Sequence, residues 1–189
     1  MWAPLVASPL TWRCISFANA GFWGMSSFCS ALDHLAPSAY RRIQGDKSLL
    51  TSSEWLHVAA LAAVNMTVVS YMASLGFEVL TTALHGRLPL ETDPFVWYLQ
   101  APRLAACVVI VDLWFYWTHR ALHWPPLYRT VHKIHHRFTA PCAVVAVYAH
   151  PLEFALGNLA AVALGPVLTN AHPYTCAARD RPSHSCMPR

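Results

Sequence analysis

WLHVAALAAVNMTVVSYMASLGF, residues 55–77, contains no Asp, Glu, Lys or Arg. A helix rising ~1.5 Å per residue over such a run crosses a hydrocarbon core of ~30 Å. The stretch therefore reads as a transmembrane helix, and it sets the frame for the rest of the chain. Thr51 and Glu54 precede it at capping-box spacing, which predicts the helix start. Asn65-Met66-Thr67 inside the run matches the glycosylation sequon. Its place in mid-membrane makes that a chance match, because the acceptor of such a modification lies on an exposed surface.

Working outward, residues 78–94 form a polar connector carrying Glu78, His85, Arg87, Glu91 and Asp93. Residues 95–118 are apolar and aromatic again, interrupted by Arg103 and Asp112. Residues 142–169 make a third apolar run, broken by His150-Pro151 and Glu153. Toward the N-terminus, residues 10–32 are a weaker membrane candidate; Arg13 and the lack of a small-residue cleavage site argue against a signal peptide. The basic loops at 41–47 and 120–137 should face the cytosol, and the acidic connector 78–94 the opposite side. Three segments follow: a weak membrane segment at 1–37, a membrane domain at 38–176 and a hydrophilic tail without periodicity at 177–189, expected to be disordered. The fold class is all-α, a polytopic integral membrane helical bundle.

Composition agrees. Hydrophobic residues are 56% of the 189 and charged residues 12%, where a soluble domain carries roughly 25%. A net charge of +4 without a long basic run suits an anionic membrane surface and gives no sign of nucleic-acid binding. The six cysteines are scattered without a CxxC pair and read as reduced packing residues.

The chemistry sits in two motifs, HRALH at 119–123 and HKIHH at 132–136. On helices, His119 and His123 share a face one turn apart, and His132, His135 and His136 fall within a ~100° arc. Such spacings let neutral imidazoles converge on a metal, and Pro125-Pro126 between the motifs should end one helix and bring the second back onto it. Asp112, on one stripe with Tyr116, His119 and His123, has two readings: it accepts the second ring N–H of a ligating histidine, or it pairs with Arg103 or Arg120. His150 and Glu153, three apart, are either a further ligand or supporting pair, or simply bonded to each other. His34, His57, His85, His172 and His184 have no partner at ligand spacing.

One zinc site takes three protein ligands and a water, so five clustered histidines suggest two metals. Nitrogen-rich ligation suits iron as well as zinc. A membrane location suggests a lipid substrate with an unactivated C–H bond, whose cleavage calls for an oxygen-activating metal. No GxSxG, phosphate loop or HExxH competes with this reading.

The stretch DLWFYWTHRALHWPPLYRTVHKIHHRFTAPCAVVAVYAHPLEFALGN, residues 112–158, resembles the fatty acid hydroxylase superfamily, and within it the sterol C4-methyl oxidases and fatty acid hydroxylase domain-containing proteins. SAYRRIQGDKSLL (38–50) is similar to the segment before that family's second membrane helix, and Tyr148 to Glu153 match its YAHPxE segment. The resemblance implies an endoplasmic reticulum enzyme with a non-haem di-iron centre, using O2 and electrons from NAD(P)H through cytochrome b5 or a reductase. Its substrate would be a sterol or fatty-acyl lipid. His119, His123, His132, His135 and His136 would hold metal, with Asp112, His150 and Glu153 in support. The family's pattern continues to a further HxxHH, whereas this chain leaves it near residue 176, which reads as a C-terminal truncation. Two other functions stay open beside the oxidase: a catalytically inactive membrane protein that binds partners, and a zinc-dependent membrane hydrolase.

Overall fold

The computed structural model describes residues 8–35, 50–89, 93–138 and 142–172. The tail beyond residue 172, the basic loop 41–47, and the side chain of His34 lie outside the described residues, as does His184. Every regular element among the described residues is helical. Three helices are long and apolar enough to cross a membrane: Ser52–His85, Trp97–Leu122 and Pro151–Thr169, called here the first, second and third spans. They are preceded by α1, Pro9–Leu35, which is not among those three.

The first span starts where the sequence places it. The Thr51 side chain accepts from the Glu54 amide, and the Glu54 carboxylate accepts from the Thr51 backbone N–H. It ends later than expected. Residues 78–85 continue the helix to His85, and Gly86, at φ 78°, closes it in the left-handed conformation that glycine adopts without strain. At ~1.5 Å per residue the 34 residues reach ~51 Å. The helix therefore outruns the hydrocarbon, and its polar ends stand outside it.

Midway, Asn65–Val69 form a π-turn, and the third span carries another at Phe154–Leu159. Such turns open the helical hydrogen-bond ladder and recur at functional sites. Here the widened ladder of the third span leaves the Leu156 carbonyl to accept from the Trp114 indole N–H at 2.7 Å, joining it to the second span.

The spans alternate in direction. Arg103 donates to the Asn170 carbonyl and the His172 amide to Gln100 Oε1 at one end. Trp114 meets Leu156 toward the other, so the second and third spans are antiparallel. Between these points they approach most closely at Gly165. A Cβ there would stand 2.8 Å from Cys107 Cα and 2.9 Å from Cys107 Cβ. Small residues at crossings let membrane helices pack backbone to backbone. Helix α1 runs antiparallel to the first span: Trp12 stacks on Tyr71, Asn19 donates to the Met66 carbonyl, and Phe22 and Trp23 reach the core around Val58 and Ala62. Ser8 and Thr11 both donate to the Glu78 carboxylate, which is how a carboxylate on the first span is satisfied. Cys29, Cys107 and Cys142 are free thiols.

The apolar stretch from 142 does not enter the third span directly. Ala143–Val147 form a 3-10 turn, and the helix begins at Pro151. Val144, Val145 and Tyr148 are buried against Val58 and Ala62, so this stretch packs under the histidine motifs. The start of the first span, the end of the second and the start of the third thus lie together at one end of the bundle.

Candidate metal centre

The last turn of the second span carries His119 and His123, four residues apart, with their Nε2 atoms 3.2 Å apart. Trp124 is extended, the conformation favoured before proline, and Pro125 and Pro126 then open a short helix to Thr130. That helix returns the chain so that the HKIHH motif faces the span it has just left. His132–Arg137 is a 3-10 turn and not the α-helix expected from the spacing. Residues three apart eclipse in a 3-10 turn, and the rings of His132 and His135 are indeed stacked, 5.7 Å apart and 17° from parallel.

His132 is the hub. It is fully buried, and its Nε2 lies 3.2 Å from His123 Nε2 and 2.9 Å from His136 Nε2. Ligand atoms of His119, His123, His132 and His136 all fall within 4.8 Å of one another. With metal–nitrogen bonds of ~2.1 Å, neighbouring ligands on one ion are ~3.0–3.4 Å apart; the 119–123, 123–132 and 132–136 pairs stand at 3.2, 3.2 and 2.9 Å, and the wider pairs would close onto a single ion by small ring movements. On the far side of His132, Nδ1 donates to Glu153 Oε1 at 2.8 Å. That bond fixes the tautomer with the Nε2 lone pair toward the other rings.

Electrostatics prepare the same state. Burial, then repulsion from His136, His119, His123 and His135, pushes the His132 pKa down to about 4. The pKa of His136 is lowered by burial and by His135 and His123. His132 is therefore neutral near pH 7, and its contact with Glu153 is a hydrogen bond to a carboxylate and not a true ion pair. Glu153 is itself buried, and its Oε2 has no hydrogen-bond partner among the described residues. Ionised, a buried carboxyl group behind neutral imidazoles needs a compensating charge, which a dication at the converging nitrogens would supply.

The remaining candidates fall around this group. His135 stands apart from the four: its Nδ1 donates to the Tyr148 carbonyl at 3.4 Å, which leaves Nε2 as its free lone pair. His150 caps the third span, its Nδ1 accepting from the Leu152 amide at 3.1 Å. It makes no bond with Glu153, whose role is toward His132. Asp112 is exposed on the second span. Among the described residues it bonds neither expected partner: Arg103 binds the Asn170 carbonyl and Arg120 the Tyr116 hydroxyl, and the buried His132 turns its second ring nitrogen to Glu153. The support expected of Asp112 is made by Glu153. His85 and His172 bond to the carbonyls of Val167 and Asp93, and His57 lies against Tyr148.

Three contributors were missed in the sequence. Phe115 stacks on His119 (5.7 Å, 17°) and Tyr128 on His123 (5.8 Å, 24°), so both rings of the second span's histidine pair lean on an aromatic face. Phe115 precedes His119 by four residues on the same helix, a spacing that predicts contact; Tyr128 reaches its ring only through the double-proline turn. Asn65, fully buried in the first π-turn, donates from Nδ2 to the carbonyls of Val147 (3.0 Å) and Ala149 (2.9 Å). Its signal was a lone amide in an uncharged membrane run.

Residues 104–179 match the family model described as fatty acid hydroxylase. Fatty acid hydroxylase domain-containing protein 2 of Homo sapiens is 42% identical over 82 residues, 43% of this chain and 24% of the relative. Fatty acid hydroxylase ahd1 of Mycosarcoma maydis is 34% identical over 122 residues, 65% of this chain and 32% of the relative. Methylsterol monooxygenase 1 of Rattus norvegicus is 49% identical over 57 residues, 30% of this chain and 20% of the relative. The chain thus spans a third or less of the length of these relatives. No solved structure matches it.

Proposed function

Over residues 104–179 the chain is of the fatty acid hydroxylase superfamily, and from that premise we propose that it is a membrane-bound oxidoreductase that hydroxylates a lipid at an iron centre. The observation that carries this reading is the convergence of four imidazole nitrogens within 4.8 Å, with His132 backed by the buried Glu153. Iron held there would supply the oxidising power to break an unactivated C–H bond, with O2 as oxidant and electrons from NAD(P)H by way of cytochrome b5. The substrate is a sterol or fatty-acyl lipid, and the setting the endoplasmic reticulum membrane.

His119, His123, His132 and His136 would hold one ion. A di-iron centre would draw on His135 through its free Nε2, together with ligands beyond the described residues. Glu153 holds a proton on His132 Nδ1 and keeps Nε2 aimed at the metal. The burial of His132 excludes water from one side of the group, whereas His123 and His136 remain exposed on the other. That open side adjoins Phe115, which stacks on His119, and the exposed Trp114, Tyr116 and Trp117 ring the same stretch of helix, an aromatic girdle suited to the membrane interface. A lipid lying along it would bring an acyl or sterol carbon to the ligands without leaving the hydrocarbon.

The test is anaerobic reconstitution with ferrous iron in detergent, followed by oxygen, reductant and a panel of sterols and fatty-acyl lipids. Oxygen-dependent hydroxylation that disappears in His132→Ala is the expected result. Stoichiometric iron binding without turnover would favour the non-catalytic membrane protein. Turnover that persists without oxygen or reductant would point to a hydrolase.

A further inference from the structure

The sequon match at Asn65-Met66-Thr67 leaves a buried carboxamide in the middle of a membrane span, where a polar side chain is costly unless it has a task. Both Nδ2 protons are used, one on the Val147 carbonyl and one on that of Ala149. These carbonyls flank Tyr148, whose own carbonyl accepts from His135 Nδ1. The Tyr148 side chain is buried against Phe138 and His57, so the turn is gripped by ring packing as well as by Asn65. Asn65 can reach this turn because the π-turn at Asn65–Val69 interrupts the regular ladder there. The Ser70 hydroxyl donates to the Asn65 carbonyl, so the widened ladder is satisfied from within the span.

We propose that Asn65 is a positioning residue for His135: by clamping Val147 and Ala149 it sets the Tyr148 carbonyl that orients the His135 ring and leaves Nε2 free to bind metal. The amide orientation is dictated by its surroundings, since Oδ1 turned toward two carbonyls would place acceptor against acceptor. An Asp would likewise lose both donors when ionised. The first span, which contributes no histidine to the four-ring group, thereby acts on the centre through two hydrogen-bonded steps. The inference rests on the metal-binding reading above and assigns His135 a ligand role within it.

The test is a double-mutant cycle on Co2+ affinity, read from absorbance of the full chain purified metal-free in detergent. Asn65→Leu should weaken binding of the second Co2+, the ion that draws on His135, about tenfold, the lower end of what loss of an outer-shell partner costs, and leave the Co2+ on the four-ring group unchanged; uptake of one Co2+ only by the unaltered chain overturns the proposal. In a His135→Ala background the same substitution should cost nothing further, because its effect passes through the missing ring. Unchanged affinity in Asn65→Leu overturns the proposal and leaves the metal reading intact. So does an equal loss in both backgrounds, which would mean general loosening of the fold. No Co2+ binding by the unaltered chain overturns both. Should Asn65→Leu fail to fold, Asn65→Gln, which keeps the amide in the slot but shifts it by a methylene, enters the same cycle with the same expectation.

Discussion

His132 joins every part of the centre: its Nε2 faces His123 and His136, its Nδ1 binds Glu153, and its ring is fully buried. Glu153→Ala removes the group that fixes its tautomer, and metal affinity should fall ~10–100-fold while the helices persist. Glu153→Gln, which still accepts the Nδ1 proton but carries no charge, should lose less; competition against a chelator measures both. A pH effect follows as well. The folded pKa of His132 is depressed to about 4 from an ordinary 6.5, so between these values the unfolded chain binds the extra proton. The neutral His132 therefore contributes stability to the metal-free protein that is fully present above pH 6.5 and is lost as pH drops toward 4. Thermal unfolding of chelator-treated protein across that range checks it. The histidine positions were legible because ligand spacing is local. Glu153 was legible only as one of two readings, because its partner His132 is 21 residues away. Asp112 had the same supporting role as one of its two readings because it shares a helical stripe with His119, and sequence periodicity does not reveal which way that stripe faces.

At the scale of elements, the capping box and the uncharged run located the first span, and Pro125-Pro126 located the turn that folds the two histidine motifs together. Other boundaries were set by less visible signals. Charge at 78–94 suggested a connector, yet Glu78 is satisfied by Ser8 and Thr11, and the helix continues until Gly86. The 3-10 turn at 132–137 replaced an expected α-helix, and with it His136, not His135, joins the four-ring group. The contact between the second and third spans rests on the absence of a side chain at Gly165. Gly165→Ala puts a methyl 2.8 Å from the Cys107 backbone, which should cost about 1–3 kcal/mol as the helices part. Cys107→Ala should not restore it, since the nearest atom is Cα. A lowered unfolding temperature in both the single and the double variant is the expected result.

Across the whole molecule, antiparallel spans collect the histidines at one end, and Arg120, Arg129, Lys133 and Arg137 stand at that same end. The bundle gathers the four-ring group at the end of the second span, with its open side beside Phe115. The central claim is that these histidines bind metal, and metal content per chain tests it most directly. Detergent-purified protein reconstituted anaerobically with ferrous iron should retain at least one iron per chain after desalting. His132→Ala and His123→Ala should lose it while helical content is unchanged. Retention of the same iron by both variants, or none by the unaltered chain, would contradict the account.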